Sequence, residues 1–126
     1  MSDFRELIRV DKEAQCPRQY VLALTDTLNV ISGKWKLPIV AALLRGKNRF
    51  KDLQENVEKI TPRMLSKELK ELEINGVLER KVYNQTPVLI KYQLTASGKN
   101  FANVIDAMIE WGLEHRREVM ETGSQV

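Results

Sequence analysis

The sequence contains one cysteine, Cys16, and one histidine, His115. A single cysteine excludes a disulfide within the chain and fits a reducing compartment, so any disulfide would have to join two molecules. One histidine and one cysteine cannot assemble a site of His or Cys ligands within one chain, and no metal or cofactor is expected. His115 stands beside Arg116 and Arg117 near the end of the last predicted helix. Positive groups suit the negative end of a helix dipole there, which is a structural rather than a catalytic use. No phosphate-binding glycine loop and no nucleophile elbow occurs, so the chain does not read as an enzyme. No apolar stretch approaches the roughly 20 residues needed to span a bilayer, and residues 1–15 are too polar for a signal peptide. A cytoplasmic protein with no membrane partner is expected.

A chain of 126 residues, 43% of them hydrophobic, is long enough for one compact domain with its own core. The formal net charge is +3 and the pI about 9.1, a mild basic excess compatible with nucleic acid. Its distribution says more than its size. Between Lys34 and Lys51 stand Lys34, Lys36, Arg45, Lys47, Arg49 and Lys51, with no Asp or Glu among them.

In chain order, residues 1–15 form a polar leader in which Phe4, Leu7 and Ile8 would share one helical stripe, either a short docking helix or a frayed end. From Arg18, the spacing of Val21, Leu24, Leu28 and Ile31 predicts a first main helix that Ser32-Gly33 ends. Trp35 to Leu44 is apolar on every side, which predicts a helix buried all round. Pro38 is tolerable in its first turn and Trp35 packs at its start. Gly46 closes it. Asn48 is the expected cap of a small helix over Arg49 to Val57, with Phe50, Leu53 and Val57 on one face.

Thr61 then offers a side-chain oxygen to free backbone N–H groups, and Pro62 has φ preset for the first helical position. At about 100° per residue, Leu65, Leu69 and Leu72 fall on one face and Arg63, Ser66, Lys67 and Lys70 on the other. That outer face carries three cations and a hydroxyl and no acid, as suits a duplex groove where lysine meets phosphate and arginine can read a guanine edge. A charged outer face is also what any amphipathic helix shows to water, so the helix alone leaves both readings open. Asn75-Gly76 ends it. Two extended runs follow, Leu78 to Tyr83 and Val88 to Leu94, with Asn84-Gln85-Thr86-Pro87 as the turn. Two helices joined by a brief connection, followed by a hairpin, make the order of a helix-turn-helix with a wing.

Thr95 is the expected cap of a last helix from Ala96 to about Glu118. On it Phe101, Val104, Ile105, Met108, Ile109, Trp111, Gly112 and Leu113 span an arc of roughly 200°, wider than packing on one small domain requires. The surplus points to a second copy of the chain, with Gly112 allowing a close backbone approach; a helix sandwiched within one chain is the alternative. Phe101, Ile105, Met108, Ile109, Trp111 and Gly112 are the expected interface residues.

The chain resembles the HxlR-type winged-helix transcriptional regulators, relatives of the MarR group, from Cys16 to about His115. The resemblance is carried by Cys16-Pro17, Gly33-Lys34-Trp35-Lys36, Arg49-Phe50-Lys51-Asp52-Leu53, Leu65 with Leu69 to Leu72, Asn75-Gly76-Val77-Leu78-Glu79-Arg80, Tyr92-Gln93-Leu94-Thr95 with Gly98, and Trp111-Gly112. It implies a mainly α fold with a small β-hairpin, a winged helix-turn-helix flanked by N- and C-terminal dimerisation helices. The expected organisation is a leader over 1–15, the winged helix-turn-helix domain over 16–115 and a C-terminal tail over 116–126. Functionally it implies a bacterial homodimer that regulates nearby genes by placing the second helix of the motif in the major groove of double-stranded DNA.

Thr61, Arg63, Ser66, Lys67 and Lys70 would form the reading helix, with Arg49 and Lys51 on backbone. Members often carry a second proline and a basic residue after the wing turn, where this chain has Val88 and Leu89, leaving Lys81, Gln85 and Thr86 as wing contacts. The acid common before Tyr92 is Lys91 here. Cys16 matches a cysteine that in some members responds to oxidants or electrophiles. A thiol at a helix start, near Lys12 and Arg18, has its thiolate stabilised; the alternative is that it is a small packing residue. No effector or ligand pocket is indicated. The competing function class is a winged helix that docks proteins without specific DNA binding.

Overall fold

A computed structural model describes residues 17–124, so Cys16 and the leader stripe of Phe4, Leu7 and Ile8 lie outside the described residues. The chain divides into two compact units at Gly33/Lys34. The described part of the first is helix α1, Pro17–Ile31. Thr25 and Thr27 donate their hydroxyls back to the carbonyls of Val21 and Ala23, which accommodates both within the helix. Its predicted apolar stripe is present, yet Val21, Leu24 and Leu28 are all exposed.

The second unit contains α2 (Lys36–Leu44), α3 (Phe50–Asn56), α4 (Pro62–Ile74), β1 (Leu78–Tyr83), β2 (Leu89–Leu94) and α5 (Ala96–Ser124). Helix α2 is its hub, packed against α3, α4, β2 and α5. Ile39, Val40 and Ala42 of α2 are fully buried with Leu53 of α3 and Leu65 and Leu72 of α4; Leu69 and Leu78 are almost as fully covered. Each such leucine contributes about 1.5–3 kcal/mol. The expectation that α2 is buried all round is corrected on one flank: Pro38 is exposed, and Leu37 and Ala41 are half-buried. That flank, with Ile105, Met108 and Ile109 of α5, lines an apolar groove of about 260 Å³.

Asn48 is not the cap of α3. Arg49 occupies the N-cap position without a side-chain bond, and the Asn48 carbonyl instead accepts from the Tyr92 N–H of β2 at 2.8 Å. The end of α4 was legible. Gly76 adopts φ +75°, its N–H donates to Glu73, and the Val77 N–H donates to Leu72, which completes a glycine-based helix stop. The hairpin is antiparallel with Leu78 opposite Leu94 and Tyr83 opposite Leu89, leaving Val88 in the turn rather than in the strand.

Thr95 caps α5 as expected, accepting from the Gly98 N–H at 3.1 Å, while its own hydroxyl donates to the Gly76 carbonyl at 2.6 Å. This ties the start of α5 to the end of α4. Gly98 belongs to the same joint: a Cβ there would stand 2.1 Å from the Val77 carbonyl oxygen. Gly98→Ala is expected to cost about 2 kcal/mol, read as a lower urea midpoint. An unchanged midpoint would mean that this joint yields freely.

Two further expectations change at the far end. Helix α5 continues to Ser124, so residues 116–124 are helical rather than a tail. His115 is therefore some two turns from the last described helical residue, and its ring stacks on Trp111 with centroids 4.6 Å apart.

Candidate nucleic-acid interface

Thr61 and Pro62 start α4 as the sequence predicts: the Thr61 hydroxyl oxygen accepts from the Met64 N–H at 3.2 Å. One of its two acceptor positions is thereby engaged in the cap, and the O–H can still donate outward. With Leu65, Leu69 and Leu72 buried, Arg63, Ser66, Lys67 and Lys70 are all exposed on the opposite side. The helix is held by its apolar face and presents its basic one.

The hairpin extends this face. Ser66, Leu69, Lys70 and Glu73 of α4 meet Arg80 of β1 and Tyr92 of β2 around a cleft of about 270 Å³. Two cations, a serine hydroxyl and a phenol, set against the one carboxylate of Glu73, leave the cleft net positive and able to seat a backbone phosphate. Arg80 was missed by the sequence reading. A signal existed: it lies two residues after buried Leu78, so strand alternation turns it to the face that packs on α4.

The remaining expected contacts are less concentrated. Arg49 and Lys51 are exposed at the start of α3, and Lys81, Gln85 and Thr86 are exposed on the wing, where Lys81 lies 3.9 Å from Glu79. Lys91 lies over the Tyr83 ring, 5.8 Å from its centroid. Lys34 similarly covers the Trp35 ring at 4.8 Å, in keeping with a structural Trp35.

Lys36 departs most from expectation. Counted in the basic run between Lys34 and Lys51, it is only 5% exposed, the one buried charged residue among those described. Its Nζ donates to Glu68 Oε2 at 2.6 Å and to Glu71 Oε2 at 2.5 Å, both on α4. Burial pulls the ammonium pKa down, but the hydrogen bonds and charges of the two carboxylates outweigh it and hold the pKa above its ordinary value. Reciprocally, the Lys36 hydrogen bond and charge, helped by Lys67, hold Glu71 below the usual carboxylate range. The α4 surface is thus not free of acids: Glu71 borders its basic face on one side and Glu73 on the other.

The residues expected to meet a second copy separate into two groups. Ile105 is buried within the chain, while Phe101 and Gly112 are half-buried. Met108, Ile109 and Trp111 are exposed, Trp111 to 67%, and apart from the adjoining helix backbone nothing lies within 4 Å of where a Cβ on Gly112 would be. Val119 and Met120, beyond the predicted helix end, continue the exposed apolar surface. Among the described residues no cluster of three or more His, Cys, Asp or Glu side chains could hold a metal ion, and no helix is long and apolar enough to cross a membrane.

The family model described as HxlR-like helix-turn-helix matches residues 30–120. The chain belongs to the HxlR-like helix-turn-helix family. Among its relatives, the HTH-type transcriptional regulator YtcD of Bacillus subtilis (strain 168) is 38% identical over 102 residues, covering 81% of each chain. The solved structure of the redox regulator HypR in its reduced form matches with a TM-score of 0.71 at 39% identity, over 79% of this chain and 98% of that one. A MarR-family transcriptional regulator from Enterococcus faecalis V583 matches with the same TM-score, 0.71, at 28% identity, over 86% of this chain and 96% of that one. The HxlR family member described here is therefore a winged helix-turn-helix transcriptional regulator and not an enzyme, as the sequence led us to expect.

Proposed function

We propose that this regulator acts in the cytoplasm as a homodimer, binding double-stranded DNA at inverted-repeat operators through α4. The observation that carries the reading is the exposed row Arg63, Ser66, Lys67 and Lys70 on a helix anchored by three buried leucines. Arg63, Ser66 and Lys67 lie in the first turns, where base edges are reached. Thr61 donates to the backbone, and Lys70 with Arg80 grips phosphate at the cleft. Arg49 and Lys51 add backbone contacts on one side, and Lys81, Gln85 and Thr86 on the wing.

A homodimer is supported by apolar surface exposed on the flanking helix of each unit, each unit taken by itself. On α1 this is Val21, Leu24 and Leu28, and on α5 Met108, Ile109, Trp111 and Leu113. A two-fold axis would set two copies of α4 roughly 34 Å apart, one turn of duplex.

Cys16 is proposed as the redox input, supported by the likeness to HypR, itself a redox regulator. With one cysteine per chain, oxidation forms either a bond between the Cys16 sulfurs of two subunits or a mixed disulfide with a small thiol. Fluorescence anisotropy on DNA flanking the protein's own gene tests both proposals. An intact inverted repeat is expected to bind one dimer far more tightly than a single half-site. A mild oxidant is expected to change affinity about ten-fold in wild type and not in Cys16→Ser. Equal half-site affinity would remove the dyad, and an oxidant-insensitive wild type would leave Cys16 a packing residue.

A further inference from the structure

The second side of α4 poses a problem for a helix that approaches DNA. Glu68 and Glu71 are one turn apart on the flank between the buried leucines and the basic row, and Glu71 is close enough to Lys67 to feel its charge. Two carboxylates there oppose phosphates at every operator and every random site alike. Lys36 reaches both from the first turn of α2, across more than thirty residues of sequence, with its own ammonium almost wholly removed from water.

We propose that Lys36 is a positioning residue for DNA binding: an internal counter-ion that cancels one of the two negative charges of Glu68 and Glu71 and fixes the rotation of α4 on α2, without itself touching DNA. The proposal rests on the reading of α4 as the DNA-facing helix. A lysine kept only for stability would be a poor choice, since apolar replacement of a buried ion cluster is often neutral or stabilising. What an apolar residue cannot do is cancel a carboxylate beside the reading face. The role follows from placement: both acids are bridged by one Nζ, so the helix can turn neither way about its axis without losing a partner.

The test is an anisotropy titration with two duplexes, the DNA flanking the protein's own gene and a random sequence, each at low and moderate salt. Glu71→Gln removes the more exposed acid, 40% exposed, and leaves Lys36 paired with Glu68. It is expected to tighten binding to both duplexes about three-fold, with the gain shrinking as salt rises. Lys36→Met is expected to weaken both on the order of ten-fold at low salt. Lys36→Met with Glu68→Gln and Glu71→Gln removes the one cation together with both acids, leaves this flank one charge more positive than wild type, and is expected to bind like Glu71→Gln, about three-fold more tightly than wild type at low salt.

Circular dichroism and urea titration confirm that each variant is folded at the assay temperature. If Lys36→Met fails to fold, Glu71→Gln and the triple variant decide the matter. Unchanged or weaker binding by Glu71→Gln overturns the proposal, as does a folded triple variant that binds no better than Lys36→Met. Loss of the underlying reading is distinguished by Arg63→Ala with Lys67→Ala: if that pair binds like wild type, α4 is not the DNA surface, whatever Lys36 does.

Discussion

The double substitution Arg63→Ala, Lys67→Ala is expected to lower affinity for the operator by about a hundred-fold or more, because under the proposed two-fold complex each protomer would lose a base-edge contact worth about 1–3 kcal/mol together with a nearby cation. Both side chains are exposed, and the leucines that hold α4 are on its other face, so stability should change little. Single substitutions separate the roles. Arg63→Ala relaxes sequence preference, whereas Lys70→Ala weakens all sequences alike and flattens the salt dependence by about one contact per protomer. Anisotropy on operator and random duplexes reads both. Equal binding of the double variant and wild type to the operator would remove α4 from the interface.

The second large effect is on assembly. Ile109 is 53% exposed on α5, at the edge of the apolar groove that Leu37, Pro38 and Ala41 share with Ile105 and Met108. Under a symmetric interface, Ile109→Glu places a carboxylate in apolar surroundings twice, once from each chain. A loss of several kcal/mol, on the order of a thousand-fold or more in the dimer dissociation constant, is expected. Sedimentation velocity should show monomers at concentrations where wild type is dimeric. The fold of each chain should persist, because the α2–α5 contact within the chain rests on buried Ile105 rather than on Ile109. A dimer of unchanged affinity would place the interface elsewhere. Ile105→Glu, by contrast, is expected to unfold the chain itself, which separates the two neighbouring isoleucines.

Much of the fold was legible because its signals are local. Thr61-Pro62 and Asn75-Gly76 mark the two ends of α4 within a few residues of the hydrogen bonds they make, and Thr95 marks the start of α5 in the same way. Leu65, Leu69 and Leu72 declared their face through spacing alone. What was misread depends on partners distant in sequence. Lys36 looks like any cation in a basic run until Glu68 and Glu71 arrive beside it from α4. Asn48 has the chemistry of a cap, yet its place in the fold is set by the backbone of Tyr92. Arg80 became part of the candidate site only when the hairpin folded back on α4. Ile105 and Ile109 share an apolar arc one turn apart, and only the position of α2 decides that the first is buried within the chain and the second is not. The end of α5 was placed too early because the charged residues after Leu113 end the apolar pattern without ending the helix.

The central claim is that a paired set of cations on α4 and the hairpin binds the phosphates of duplex DNA, and salt tests it most directly. Wild-type affinity for the DNA flanking its own gene, measured by anisotropy from about 50 to about 200 mM salt, is expected to fall by about a thousand-fold or more, as for a dimer with six to ten phosphate contacts. An affinity that stays level across that range would contradict the account and favour a winged helix that docks a protein through apolar surface.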